Sequence, residues 1–232
     1  MVATLKGLLG EALNFVLRPL RRRRLTKSLR ASSGPTLLEF GAGGTKRNGW
    51  ITTDVTWRSA NHLDVTATWP MADETVDFLF SDNVVEHLSL SGARVAFREA
   101  CRVLKPGGIL RVVTPDIGEL TRAYLSVPEE SDGLKTQLLE EGYLVENQVD
   151  LLRFAFQDDG HASGYLWDKD ALETELRSAG FSGVVFHAPG QSKHAQLRNL
   201  DLRVDTPLAR MMLAAEAEKQ ENPSWQGIRN VF

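Results

Sequence analysis

The chain has 232 residues, of which 42% are hydrophobic, and a formal net charge of −3. Its length suits one α/β domain with a tail or insertion, and its apolar content supports a full core. The single cysteine, Cys101, excludes an intramolecular disulfide and a thiolate-cluster metal site.

In chain order, the first segment is the most unusual by charge. Residues 1–30 hold eight basic residues and one acid, Glu11, for a net charge of +7, which leaves −10 on the remainder. An acidic body with a basic arm does not fit a general nucleic-acid binder. Within the arm, Leu5, Leu8, Leu9, Ala12, Leu13, Val16 and Leu17 recur at helical spacing ahead of the arginine run. Such a basic amphipathic helix either lies on an anionic membrane surface or packs its apolar stripe on the domain or on a second subunit of a homodimer. With no secretory signal and no membrane-spanning apolar run, the expected location is cytoplasmic, with peripheral contact at the inner membrane surface as the alternative.

A linker, Ala31–Pro35, leads into the run Thr36–Phe40, which reads as a buried strand breaking into Gly41, Gly43 and Gly44. Open α/β sheets build a cofactor crevice at such a strand end. Glu39 at that end disfavours a phosphate and leaves a nucleoside-type ligand. Trp50–Asp54 reads as a second strand ending in an acid placed to accept from ribose hydroxyls, and His62–Val65 as a third with Asp64 inside it. Val76–Asp82 is the fourth strand, followed by Asn83-Val84-Val85-Glu86-His87-Leu88. An amphipathic helix over Ser91–Leu104 with Ser91 as its cap then runs into Lys105-Pro106-Gly107-Gly108, read as a turn, and Cys101 falls on its apolar face. Ile109–Thr114 is the fifth strand, and a helix begins at Pro115-Asp116.

Taken in order, the glycine loop, the acid ending the second strand, Glu86-His87-Leu88 and Leu104-Lys105-Pro106-Gly107-Gly108 resemble the class I S-adenosylmethionine-dependent methyltransferases. The resemblance covers roughly residues 35–118 and 160–218. It implies a Rossmann-like seven-stranded, mostly parallel α/β sheet whose last strand inserts antiparallel, with S-adenosylmethionine as cofactor. On this reading Gly41 and Gly43 approach the methionine and ribose, Asp54 takes the ribose hydroxyls, Asp64 the adenine amino group, and Trp57 stacks on adenine. Glu39 and Asp82 complete the set. The interval from Gly44 to Asp54 is too short for the helix most members place there. It is similar instead to a subgroup with a tight glycine loop, Gly-Trp-Ile and an acid, often linked to sugar or polysaccharide modification.

Residues 126–165 break the α/β alternation and read as an insertion at the catalytic edge, where loops carry function. The core resumes with a capping-box-like start at Asp170-Ala171-Leu172-Glu173 and a strand at Val184–Phe186. Met211–Glu218 has helical propensity where the resemblance demands the last strand, and the strand is expected to win. The domain therefore spans 31–219, with an irregular tail over 220–232.

Methyl transfer from a sulfonium is an in-line displacement, and a hydroxyl acceptor needs a base to take its proton. His161 in Gln157-Asp158-Asp159-Gly160-His161 is the candidate base, with Asp159 orienting it or binding a sugar and His87 as a second catalytic candidate. His187 and His194 read as structural or surface groups. Some O-methyltransferases bind a divalent cation through acid-x-x-Glu-His. Here Asn83 replaces the acid, so no metal is expected, and Glu86 and His87, joined by Asn83 and His161, are the alternative. Tyr124, Tyr165 and Trp167 near the insertion suit a saccharide or other small-molecule acceptor. The expected activity is O-methylation of a sugar or small polar acceptor, with a lipid or quinone methyltransferase at the membrane, or a catalytically silent cofactor-binding subunit, as rivals. A NAD enzyme is disfavoured because the three-glycine fingerprint is missing.

Overall fold

The computed structural model describes residues 5–220, without the side chains of residues 5–13, 128, 155 and 158–160. Beyond residue 220 the expected tail lies outside the described residues, as does much of the apolar stripe expected over residues 5–13.

Seven strands form one sheet: β1 (Leu37–Phe40), β2 (Ile51–Asp54), β3 (Asn61–His62), β4 (Val76–Asp82), β5 (Leu104–Pro115), β6 (Phe181–His187) and β7 (Met212–Lys219). Their spatial order is β3-β2-β1-β4-β5-β7-β6. β1 to β5 pair in parallel, whereas β7 runs antiparallel to both β5 and β6. This is a Rossmann-like sheet whose strand order reverses between β1 and β4, the place where such sheets open a ligand crevice. The central strands are apolar on both faces, as parallel strands covered by helices must be. Leu38, Leu79, Phe80, Leu110 and Val112 are all buried.

The helices are α1 (Leu5–Arg30), α2 (Leu90–Val103), α3 (Ile117–Leu125), α4 (Asp132–Glu140), α5 (Asp150–Phe156) and α6 (Lys169–Ser178). α2 lays Ala93, Ala96, Phe97, Ala100 and Val103 on the sheet. Three caps differ from expectation by a residue or two. Ser89, not Ser91, caps α2 by accepting from the Gly92 amide. Asp116 caps α3, leaving Pro115 in β5, and Asp168 rather than Asp170 caps α6. Lys105–Gly108 is not a separate turn but the irregular start of β5, where the register against β4 shifts between Val76 and Phe78. β3 is only two residues long, so Asp64 lies past its end.

β7 is a strand despite its helical propensity. Small residues explain it, because Ala214, Ala215 and Ala217 are fully buried between β5 and β6. The insertion folds into α4, α5 and two 3-10 turns, and Leu134, Leu138, Leu151 and Phe154 form a small core with Leu120 of α3 and Leu208. Trp167 corrects the sequence reading. It is 1% exposed and packs edge-on to Phe97 at 5.8 Å, so it belongs to the main core and offers no platform to an acceptor.

Candidate active site

A cavity of about 320 Å3 opens at the carboxyl ends of β1, β2 and β4. Gly41, Asp54, Leu63, Asp64, Val84 and His87 are among its lining residues. Gly41 must be glycine on two counts. Its φ is +72°, and a Cβ there would collide with the Val84 side chain. Gly43, at φ +59°, turns its amide onto the Asp54 Oδ2 at 2.8 Å, while the Thr56 amide reaches Oδ1 at 2.7 Å. These two bonds orient the Asp54 carboxylate and leave acceptor capacity on both oxygens.

Asp64 is held from two sides. The Thr66 amide and hydroxyl donate to Oδ1 at 3.1 and 2.7 Å, and Arg18 of α1 pairs with Oδ2 at 3.3 Å. Burial pushes its carboxyl up, but the Thr66 bonds and Arg18 outweigh burial, and the carboxyl titrates below its ordinary value. Arg18 also donates to His62 Nε2 at 2.8 Å, which requires a neutral imidazole there. Burial and the neighbouring arginines push His62 down to about 4, consistent with that bond. Arg21, buried, donates to the carbonyls of Ser59 at 2.9 Å, Asp54 at 3.2 Å and Thr56. α1 thus braces segments that form the cavity, through Arg18 on Asp64 and Arg21 on the Asp54 carbonyl.

Three expected cofactor residues stand elsewhere. Glu39 receives Arg47 at 3.0 and 3.3 Å, and that guanidinium lies over the Phe80 ring at 5.0 Å, so Glu39 anchors the glycine loop instead of lining the cavity. Asp82 accepts from the Leu202 amide at 2.7 Å and from Asn83 at 2.9 Å. It ties a distant connection to the end of β4, and burial pushes its carboxyl up to about 6. Trp57 is 52% exposed and does not line the cavity. The separation of Glu39 and Asp82 from the cavity follows from partners that are eight and 120 residues away.

Past β4 the chain makes a 3-10 turn, Val85–His87, which places His87 on the cavity. The insertion returns beside it. The His87 and His161 rings are 4.9 Å apart, and one oxygen of Glu86 and one ring nitrogen from each histidine lie within 4.8 Å of one another. The Phe154 carbonyl, 3.1 Å from His161 Nδ1, can only accept, so Nδ1 carries the proton and Nε2 presents a lone pair. Glu86 entered the sequence analysis as a site residue only in the metal alternative. Its Oε2 accepts from Thr114 at 3.0 Å, its Oε1 is buried without a hydrogen-bond partner among the described residues, and burial pushes the carboxyl up to about 7. The side chain of Asp159 lies outside the described residues. The two remaining histidines take structural places: His187 is 3.2 Å from Glu216, and His194 meets Phe78 edge-on at 5.6 Å. A larger cavity, about 600 Å3, lies between α4 and the ends of the 188–211 connection and contains none of the expected site residues.

Residues 40–112 match the family model described as a methyltransferase domain. The matched stretch runs from the end of β1 into β5 and includes the cavity and the Glu86-His87 turn. The match and the observed strand order together support a methyltransferase. Among solved structures, a SAM-dependent methyltransferase from Archaeoglobus fulgidus is 14% identical with a TM-score of 0.49, covering 87% of this chain and 94% of that one. The phosphoethanolamine N-methyltransferase 2 of Haemonchus contortus is 12% identical with a TM-score of 0.48, covering 87% of this chain and 52% of that one. The CurJ carbon methyltransferase is 14% identical with a TM-score of 0.47, and this chain, 90% covered, spans 54% of its length. A search of curated proteins finds no match.

Proposed function

We propose that this chain transfers a methyl group from S-adenosylmethionine to a hydroxyl oxygen of a sugar or other small polar acceptor. The observation that carries the reading is one cavity that joins the strained Gly41 turn, the oriented Asp54 carboxylate and Asp64 at the reversal point of the sheet. These residues fit the cofactor. Asp54 has lone pairs left for two ribose hydroxyls, the left-handed turn at Gly41, packed against Val84, sets the course of the loop at the cavity, and Leu63 and Val65 offer apolar surface to a base. Bound there, S-adenosylmethionine would supply an electrophilic methyl group on a sulfonium.

The chain's own part is alignment and proton removal. His87 borders the cavity, and His161, fixed by Phe154 with Nε2 free to accept, stands behind it. In this arrangement His161 takes the acceptor's hydroxyl proton, directly or through His87, and the neighbouring Glu86, as a carboxylate, stabilises the imidazolium that results. Calorimetry with S-adenosylhomocysteine tests the cofactor reading. Asp54→Ala removes two charge-assisted bonds of about 1.5–3 kcal/mol each and is expected to weaken affinity at least ~10-fold. Unchanged affinity in a folded variant refutes the assignment. An acceptor panel assayed for released S-adenosylhomocysteine then tests the acceptor class.

A further inference from the structure

From Asn14 onward the outward face of α1 is apolar at one end and basic at the other, and no described residue packs over it. Its inner face is committed: Leu25 is fully buried, Arg21 is buried against the Ser59, Asp54 and Thr56 carbonyls, and Arg18 reaches His62 and Asp64. Outward, Phe15, Val16 and Leu20 are 77%, 69% and 60% exposed. Arg23, Arg24, Lys27 and Arg30 are exposed as well, and among the described residues none has a carboxylate partner. Val16, Leu20, Arg23, Lys27 and Arg30 are three or four residues apart, so one stripe of the helix carries the apolar end and then the charges. No acid occurs between Glu11 and Glu39. The Asn14 amide donates to the Val55 carbonyl at 2.7 Å, which fastens a loop with two further exposed apolar side chains, Val55 and Trp57, to the apolar end.

We infer that this stripe docks the protein on an anionic lipid bilayer, with Phe15, Val16 and Leu20 in the headgroup–acyl boundary and the four basic residues among the lipid phosphates. Charge decides the occupant. The stripe is cationic throughout its basic half, whereas the rest of the chain is strongly acidic and is repelled by the same surface. Hydrophobic insertion and a polybasic segment are the two signals that together hold a peripheral protein on a membrane. A nucleic acid would meet the arginines but leave the exposed Phe15 and Leu20 unburied. Two-fold pairing of α1 with a second copy would bring two uncompensated cationic clusters together. No described helix is long and apolar enough to cross a bilayer, so the contact is in-plane. The inference stands apart from the cofactor assignment, since Phe15, Val16, Leu20 and the four basic residues do not line the cavity.

The test is co-sedimentation of the full chain with phosphatidylcholine vesicles, with and without phosphatidylglycerol. Binding is expected only to the anionic vesicles. Phe15→Ser/Leu20→Ser and Arg23→Glu/Arg24→Glu should each weaken it about tenfold or more, with unchanged thermal melting and S-adenosylhomocysteine binding to show an intact domain. If a double variant melts early, Arg24→Gln/Lys27→Gln, which touches only exposed side chains, replaces it. Wild-type protein that ignores anionic vesicles, or variants that bind as well as wild type, overturns the proposal. So does a dimer that Phe15→Ser/Leu20→Ser dissociates without any vesicle binding by the wild type, which would give the face to a second copy of the chain.

Discussion

Replacing Glu86 by glutamine should change how stability depends on pH, in a direction fixed by the burial of this carboxyl. Glu86 is 5% exposed, its Oε1 has no hydrogen-bond partner among the described residues, and the Thr114 hydroxyl satisfies only Oε2. Burial comes first in pushing its carboxyl from the ordinary 4.5 up to about 7, the nearby Asp82 carboxylate adds to it, and the Thr114 bond works against it. The folded protein therefore holds this proton where the unfolded chain has released it. The contribution is fully present below about pH 4.5 and is lost as pH rises through about 7. The gap between those two values corresponds to roughly 3 kcal/mol, at about 1.4 kcal/mol per pH unit. The amide of the Glu86→Gln variant cannot titrate, so it adds an offset that does not vary with pH. Urea unfolding of both proteins from about pH 5 to about pH 8 should show the variant gaining roughly 2–3 kcal/mol relative to wild type as pH rises. Using the difference cancels the groups that do not interact with Glu86. Curves that stay parallel within about 0.5 kcal/mol would refute the reasoning. They would mean that Glu86 is already ionised, with a protonated His87 or His161 as its counter-charge.

The other predictions concern the site and its scaffold. His161→Ala should retain S-adenosylhomocysteine affinity while lowering turnover by about 10²-fold, the usual size of a general-base contribution; activity within about threefold of wild type would reduce His161 to a packing residue. Turnover should survive EDTA, because Glu86 and the two histidines bring one carboxylate only and Asn83 is turned to Asp82; loss on chelation, restored by one divalent metal, would show that the cluster is a cation site. Arg111→Met should cost about 3–5 kcal/mol in urea unfolding, because it strands the buried carboxylates of Asp201 and Glu216, now 2.5 and 2.8 Å from the guanidinium. A cost under about 1 kcal/mol would mean those carboxyls are neutral in the folded protein.

What could be read in the sequence was what depends on near neighbours. Gly41 and Asp54 come together because β1 and β2 are adjacent parallel strands joined by a short loop, and the apolar run ending in glycines marks that geometry directly. The strand at Met212–Lys219 was legible only through the family resemblance, since the local preference points to helix and the slot between β5 and β6 decides otherwise. What could not be read depends on a distant partner. Trp167 looked available to a sugar until Phe97 of α2 covered it, and Asp82 looked free until the Leu202 amide took it; Glu39 is the exception, since Arg47 is only eight residues away and the path of the glycine loop brings the two together. One signal went unused: Arg111 sits in the middle of the apolar run Ile109–Val113, and a charge there requires buried counter-charges. Those counter-charges pin the connection after β6 onto the sheet, since Asp201 also accepts from the Gly190 amide at 2.6 Å.

His87 and His161 come from segments that the sequence keeps far apart, and the insertion is what brings them together. The amide of Tyr165, where the insertion rejoins the core, donates to the Leu88 carbonyl at 2.9 Å, just past the Glu86-His87 turn. Gly164 passes so close to the Glu86 carbonyl that a Cβ would collide with it, and its ordinary negative φ shows that space, not backbone conformation, demands glycine here. Phe154 fixes the His161 tautomer with its carbonyl while its ring fills the insertion's own core beside Leu151 and Leu138. Loosening that small core would therefore misplace the histidine without touching the 320 Å3 cavity, whose walls come from the ends of β1, β2 and β4 and the segments that follow them. On the proposed reading, cofactor binding and proton removal rest on separate packing units that meet at the Glu86–Leu88 segment, and for that reason a loss of turnover with intact cofactor affinity is the diagnostic outcome for His161.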